Sequence, residues 1–302
     1  MIYINNHTDK IEQSTAIALG KFDGLHIGHQ LLLDEIVSQK DNGLLATVFT
    51  FDQSPLRIIS GATDGYIDTR MERLDIMKGR QIDALVEYPF TKEFAKMEPD
   101  DFVCNVLIQQ FSMKMLVVGE DFCFGRNRSG NVDLLRELSQ KYNFQLVVKE
   151  QQRYEDAVVS STLIKQLISK GDMKLTNQLL NRCYSIRGEV VSGNKLGRTI
   201  QFPTANIEIP DDKLVPPYGV YHVKTIIDGC EYDGVANLGT KPTVKQDDVI
   251  GLETHILNYS GDLYGKHLKI DFLDFIRPEM RFSDVEALKT QIKLDIEKVM
   301  RA

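Results

Sequence analysis

The sequence predicts an α/β domain built on a parallel sheet, followed by a small antiparallel β domain that ends in a helix. Three observations predict it. In the first half, apolar and β-branched runs alternate with helical patterns, the signature of β-α-β units. Beyond about residue 183, short strand-like stretches follow one another with frequent turns. The 302 residues are also enough for two separate cores. The expected domains are 1–182 and 183–302.

The strands of the first domain are read at "TAIALG" (15–20), "LLATVFTF" (44–51), "IDALVEYP" (82–89), "MKMLVVG" (113–119) and "FQLVVKE" (144–150). Helical patterns separate them, at "HQLLLDEIVSQK" (29–40) and "PDDFVCNVLIQQFS" (99–112). In such sheets ligands bind beyond the carboxyl ends of strands, where strand order reverses. In the second domain, Asp228-Gly229 sits between two apolar runs and suits the positive φ of a type I′ hairpin. "GLETHILNYS" and "KHLKIDFLDFI" add strands with alternating faces. This pattern fits a small barrel or a sandwich. Ser283 and Glu286 read as a capping box for the last helix, whose stripe is Val285, Leu288, Ile292 and Ile296.

Composition narrows the function classes. A net charge of −7 argues against a general nucleic-acid-binding surface. No apolar run approaches a membrane span, and "MIYINNHTDK" lacks the features of a signal peptide. The four cysteines are scattered, with no metal-ligand spacing, as in reduced cytosolic proteins. The expectation is a cytoplasmic protein that binds neither nucleic acid nor membrane; nothing in the sequence sets its oligomeric state.

Four stretches carry chemistry. In "LGKFDGLHIGH", His26 and His29 flank Gly28 just after the first strand and before a helix expected to start near His29. A helix start presents unpaired N–H groups and a positive dipole end, so an anion is the natural occupant. Two imidazoles can then donate to phosphate oxygens and stabilise charge in a transition state. "VSSTLIK" places Ser160, Ser161 and Thr162 before an amphipathic helix, with Lys165 one turn in; this is an N-cap and also a phosphate cradle. "VVGEDFCFGRNRSGN" offers Phe122 and Phe124 to flank a flat ring, and Arg126 and Arg128 for phosphates. "VVSGNKLGRTIQFPTANIEIP" combines a basic glycine loop with Thr204 and Asn206, two hard oxygen donors on one strand face that suit Mg²⁺. Glu253, in a strand-like run, is either a solvent-facing carboxylate or a general base. No GxxxxGK[ST] string occurs, so an ATP site here is not a P-loop.

As a set, these stretches resemble the prokaryotic bifunctional riboflavin kinase/FAD synthetase family. "GKFDGLHIGH", "VFTFDQSP", "FTKEFAKMEPDDFV", "VVGEDFCFGRNRSGN" and "VSSTLIK" resemble its adenylyltransferase module over 15–182. "GRTIQFPTANI", "GVANLGTKPTV" and "ETHILNYSGDLYGKHLKIDFLDFIRPEMRF" resemble its kinase module over 183–302. The resemblance implies a Rossmann-like nucleotidyltransferase domain and a β-barrel kinase domain. It implies that riboflavin and ATP give FMN, and that FMN and ATP give FAD and pyrophosphate. Gly20, Phe22, Asp23, Gly24, His26, Gly28 and His29 would hold the triphosphate, with Ser161, Thr162 and Lys165 on the departing phosphates. Asp52, Asp121, Phe122, Phe124, Arg126 and Asn127 would lie near the flavin. In the kinase module, Gly193, Gly197, Arg198, Thr204 and Asn206 would bind nucleotide, the last two through Mg²⁺, and Glu253 would be the base.

The sequence departs from the family pattern at three places: Gln53-Ser54 within "FDQSP", Lys165 in place of arginine, and Gln201 in place of the glycine before "FPTAN". They motivate the alternative of a single active module. A flavin-sensing regulator without catalysis is the alternative of another class. Aminoacyl-tRNA synthetases and other nucleotidyltransferases share the HxGH logic, but the "FPTAN" module has no place in them.

Overall fold

Each apolar run of the first half forms a strand of one sheet. A computed structural model describes residues 1–52, 65–193, 200–241 and 249–301. Its first sheet contains β1 (Ile2–Ile4), β2 (Thr15–Leu19), β3 (Leu45–Phe51), β4 (Ala84–Tyr88), β5 (Met113–Gly119) and β6 (Gln145–Lys149). The order is β1-β4-β3-β2-β5-β6, and every neighbouring pair is parallel. The central strands are buried on both faces, which is why they read as near-continuous apolar runs. Ala16, Ala18, Val48 and Leu85 pack with Leu32, Leu33 and Ile36 of α1 (Ile27–Ser38) and Met77 of α2 (Arg70–Gly79). Ile17, Leu19, Phe49 and Leu116 pack in a second cluster, with Val103 and Leu107 of α3 (99–110) and Leu135 and Leu138 of α4 (Val132–Tyr142). A two-stranded hairpin, β7 (Arg153–Tyr154) and β8 (Ala157–Val158), follows β6.

Strand order reverses beside β2. The chain lays β3 on one side of it and later returns to lay β5 on the other. The crevice of a doubly wound sheet opens at this place, beyond the carboxyl ends of β2 and β5.

The chain divides into two compact units, Met1–Asp64 with Arg70–Ser160, and Gly65–Thr69 with Ser161–Ala302. The second contains α5 (Ser161–Lys170), α6 (Met173–Leu180) and six antiparallel strands: β9 (Tyr184–Val191), β10 (Ala205–Ile207), β11 (Gly219–Ile227), β12 (Cys230–Lys241), β13 (Val249–Ile256) and β14 (His267–Pro278). They close as β10-β13-β12-β11-β14-β9, so the sheet is a barrel. Asp228 and Gly229 have φ of 51° and 82° and join β11 to β12, as the type I′ reading expects. Tyr184, Tyr221 and Phe272 are fully buried and meet edge-on.

The five residues Gly65–Thr69 are built into the second unit. Tyr66 exchanges backbone hydrogen bonds with Asp212 and Leu214, and the buried Lys213 donates Nζ to the Ile67 carbonyl at 2.7 Å. Arg182 grips both oxygens of the buried Asp68 at 2.6 Å.

Two helix starts differ from the sequence reading. α1 begins at Ile27 and is capped by His26, so the helix starts earlier than His29. The capping box of Ser283 and Glu286 does not form: Asp284 is the cap of α7 (Val285–Arg301), accepting the Ala287 N–H at 2.8 Å, while Ser283 donates to Asp284. A carboxylate one residue closer to the helix meets the same orphan donors. Of the expected stripe, Val285 is exposed while Ile296 packs as read, and with Val299 it meets Val220 and Val235. The buried Asp295 pairs with Arg277 of β14 at 2.8 Å and so ties α7 to the barrel.

Candidate active sites

The first site is the turn between β2 and α1. Phe22, Gly24 and Leu25 have φ of 48°, 87° and 43°, which folds the turn tightly on itself. For Phe22 and Leu25 that conformation costs about 1–2 kcal/mol each. Both side chains are essentially fully buried in the core below α1, and that burial, worth about 2–3 kcal/mol each, offsets the cost. Gly20 joins the turn to β3 through its N–H on the Phe49 carbonyl. Asp23 is buried. The result is a rigid lip at the reversal point that carries two histidines.

His26 and His29 stack, with ring centroids 3.8 Å apart and planes 22° from parallel. His26 Nδ1 accepts the His29 backbone N–H at 3.4 Å. Its proton therefore sits on Nε2, the nitrogen left to donate. A Cβ on Gly28 would stand 3.2 Å from the His26 ring, so the glycine lets the ring lie flat against the helix start. Burial pushes His26 down to about 4. Burial also holds His29 well below the usual histidine range, and repulsion from His26 adds to this. Both rings are neutral near pH 7. His29 Nδ1 is a buried nitrogen with no hydrogen-bond partner among the described residues. Such an atom costs about 1–3 kcal/mol unless something binds it.

The loop after β5 carries the expected flavin residues. Phe122 and Phe124 lie parallel, 5.7 Å between centroids. They stack on each other, so a flat ring does not fit between them, contrary to the sequence expectation. Phe124 is a core residue packed on Phe102, while Phe122 is half-buried. Asp121, Arg126 and Asn127 are exposed, and Arg126 pairs with Glu98 at 3.2 Å. Asp52, at the end of β3, accepts the Phe90 N–H at 3.0 Å. Phe51, Phe90 and Phe94 are half-buried and meet edge-on beside it, 4.9 to 5.8 Å apart. The sequence reading missed this aromatic cluster, because its members come from β3 and from the segment after β4. Ser161, Thr162 and Lys165 open α5 in the second unit, which buries Ile164, Leu167 and Ile168.

The second site lies on the outer wall of the barrel. Register sets Asn206 of β10 directly opposite Glu253 of β13, and Glu253 directly opposite Asn237 of β12. Opposed residues share a face, with Cβ atoms about 4.5–5.5 Å apart. Their neighbours Ala205, Ile207, Leu252, Thr254, Ala236 and Leu238 are buried, so the row of three faces outward. Asn206 itself is buried, covered by the backbone at Gly193, where a Cβ would overlap the Asn206 carboxamide. Thr204 precedes β10 and is half-buried. His255 pins this entry: its Nδ1 is 2.8 Å from the Pro203 carbonyl, and its ring meets Phe202 edge-on. The sequence reading missed that role. Gln201 adopts φ of 67°, the left-handed region that favours glycine. Gly197 and Arg198, like Gln53, Ser54 and Lys195, lie outside the described residues.

Among the described residues, no group of three or more His, Cys, Asp or Glu side chains gathers as a metal cage, and no helix is long and apolar enough to cross a membrane. Residues 8–163 match the family model for FAD synthetase, and residues 180–302 match that for riboflavin kinase. A bifunctional riboflavin kinase/FMN adenylyltransferase of Listeria monocytogenes is 34% identical over 284 residues, 92% of this chain and 89% of the relative. Its namesake in Escherichia coli K12 is 33% identical over 298 residues, 97% of this chain and 94% of the relative. A crystal structure of a Streptococcus pneumoniae chain, described as a macrolide-efflux protein, superposes with a TM-score of 0.91 at 29% identity, covering 100% of both chains.

Proposed function

The chain belongs to the bifunctional riboflavin kinase/FMN adenylyltransferase family, and we propose that its two compact units each hold one of the two reactions. It is an enzyme that phosphorylates riboflavin to FMN with ATP and then transfers AMP from ATP to FMN. The observation that supports the assignment of sites is their separation: the stacked imidazoles stand in one unit and the Asn206–Glu253 row in the other.

In the adenylyl transfer, an oxygen of the FMN phosphate attacks the α-phosphorus of ATP, and pyrophosphate leaves. The nucleophile is already an anion and needs no base. The work lies in positioning and in charge on the phosphate oxygens. His26 Nε2–H faces those oxygens, and a bound phosphate gives the unpartnered His29 Nδ1 its missing hydrogen bond. Gly20, Phe22, Asp23, Gly24 and Gly28 shape the turn. Asp52, Asp121, Phe122, Arg126 and Asn127 form the flavin side, where the half-buried rings of Phe51, Phe90 and Phe94 supply a further apolar face.

In the kinase reaction, Glu253 takes the proton from the ribityl 5′-hydroxyl as that oxygen attacks the γ-phosphorus and ADP leaves. Thr204 and Asn206 offer the neutral oxygen donors that suit a Mg²⁺ ion shared with ATP, which would neutralise phosphate charge there. Gly193 lies close over the Asn206 carboxamide. The left-handed Gln201 favours one alternative, a weakened kinase half. The cysteines described are free thiols, which supports a cytoplasmic location. Chromatography of products after incubation with riboflavin, ATP and Mg²⁺ tests the whole reading: FMN and FAD are expected, and the appearance of neither overturns it.

A further inference from the structure

We propose that Asn237 binds the polyol chain of the flavin acceptor, on the side of Glu253 away from the nucleotide. The inference rests on the reading above, in which Glu253 is the base and Asn206 helps hold ATP. Glu253 stands in the middle of the outward row, with Asn206 on one flank and Asn237 on the other. The reacting hydroxyl must touch Glu253, and the phosphate it attacks lies toward Asn206. The carbon chain that carries the hydroxyl therefore leaves in the opposite direction, over β12 and Asn237.

The chemistry at Asn237 fits that occupant. Its side chain is exposed between the buried Ala236 and Leu238, and among the described residues its carboxamide makes no hydrogen bond. A carboxamide has two N–H donors and one strong acceptor, the combination that vicinal hydroxyls satisfy. The next outward position on β12, Gly239, has no side chain, and the Glu279 carboxylate comes down on it so closely that a Cβ there would overlap Oε1. A second acceptor thus borders the same stretch of strand. Neutral and anionic acceptors suit the hydroxyls of an uncharged polyol.

The test uses the full chain and three ligands. In Asn237→Ala, the KM for riboflavin is expected to rise about tenfold or more, equivalent to about 1.4 kcal/mol, with the KM for ATP unchanged. Lumiflavin, the same ring without the polyol, is expected to inhibit the wild type and the variant equally. The unchanged KM for ATP in FMN formation, together with the urea midpoint of the barrel unit, reports that the variant barrel is folded. An unchanged riboflavin KM in a wild type that makes FMN overturns this inference alone, as does lumiflavin losing as much affinity as riboflavin. A wild type that makes no FMN overturns the underlying reading as well.

Discussion

Lowering the pH probes the turn that carries the two imidazoles. His26 titrates near 4 rather than at 6.5, because burial strips water from its charged form. A folded-state value below the unfolded one means that the unfolded chain takes up the proton first. The stability tied to the neutral ring is therefore whole above pH 6.5 and is lost as pH falls toward 4. The gap from 6.5 to about 4 corresponds to about 3 kcal/mol, at roughly 1.4 kcal/mol per pH unit. His29 adds in the same direction. The perturbation that isolates the effect is His26→Asn. Asparagine still caps the helix by accepting the His29 N–H, but it does not titrate. Urea unfolding of the first unit, followed at several values between pH 7 and 4.5, gives the slope for both proteins. The wild type should lose stability more steeply than the variant, by a margin growing toward about 3 kcal/mol near pH 4. Phosphate at these rings opposes the burial effect, so ATP should bind with proton uptake and more tightly as pH falls through this range. Equal slopes in the two proteins, or an NMR midpoint for the His26 ring above pH 6, would refute the reasoning.

Three further outcomes are expected. Gly193→Ala drives a methyl into the Asn206 carboxamide and should raise the ATP KM of FMN formation at least tenfold, while steady-state FAD formation from FMN stays unchanged. Gln201→Gly relieves the left-handed backbone and should stabilise the barrel unit by about 0.5–1 kcal/mol in urea unfolding, once the extra unfolded-state entropy of glycine is subtracted. Asp68→Ala leaves Arg182 without its bidentate partner and should cost about 3 kcal/mol, seen as a lower urea midpoint for the barrel unit and earlier heat loss of FMN formation than of FAD formation.

The parallel sheet was legible because its strands are buried on both faces and read as unbroken apolar runs. β1 was not, since three residues at a sheet edge carry too little pattern. The two histidines were legible as a pair in a strand-to-helix turn, but their stacking and loss of charge depend on Phe22 and Leu25 being driven into the core. Glu253 and Asn206 could be named singly from the sequence. That they face each other, with Asn237 completing the row, is a fact of register between strands far apart in the chain. Phe124 looked like a ligand contact because its neighbours are polar, yet Phe102 of α3 claims its ring. The incorporation of Gly65–Thr69 into the second unit rests on Lys213 and Arg182, more than a hundred residues away, and no local signal announces it.

The claim on which the account turns is that two separate sites make the two products. Glu253→Gln and His29→Ala, each assayed once with riboflavin and once with FMN, test it most directly. FMN formation should fall about 10²–10⁴-fold in Glu253→Gln with FAD formation from FMN intact. In His29→Ala, FMN should accumulate while FAD formation falls about 10²–10³-fold. Loss of both reactions from either substitution in a folded chain would contradict it.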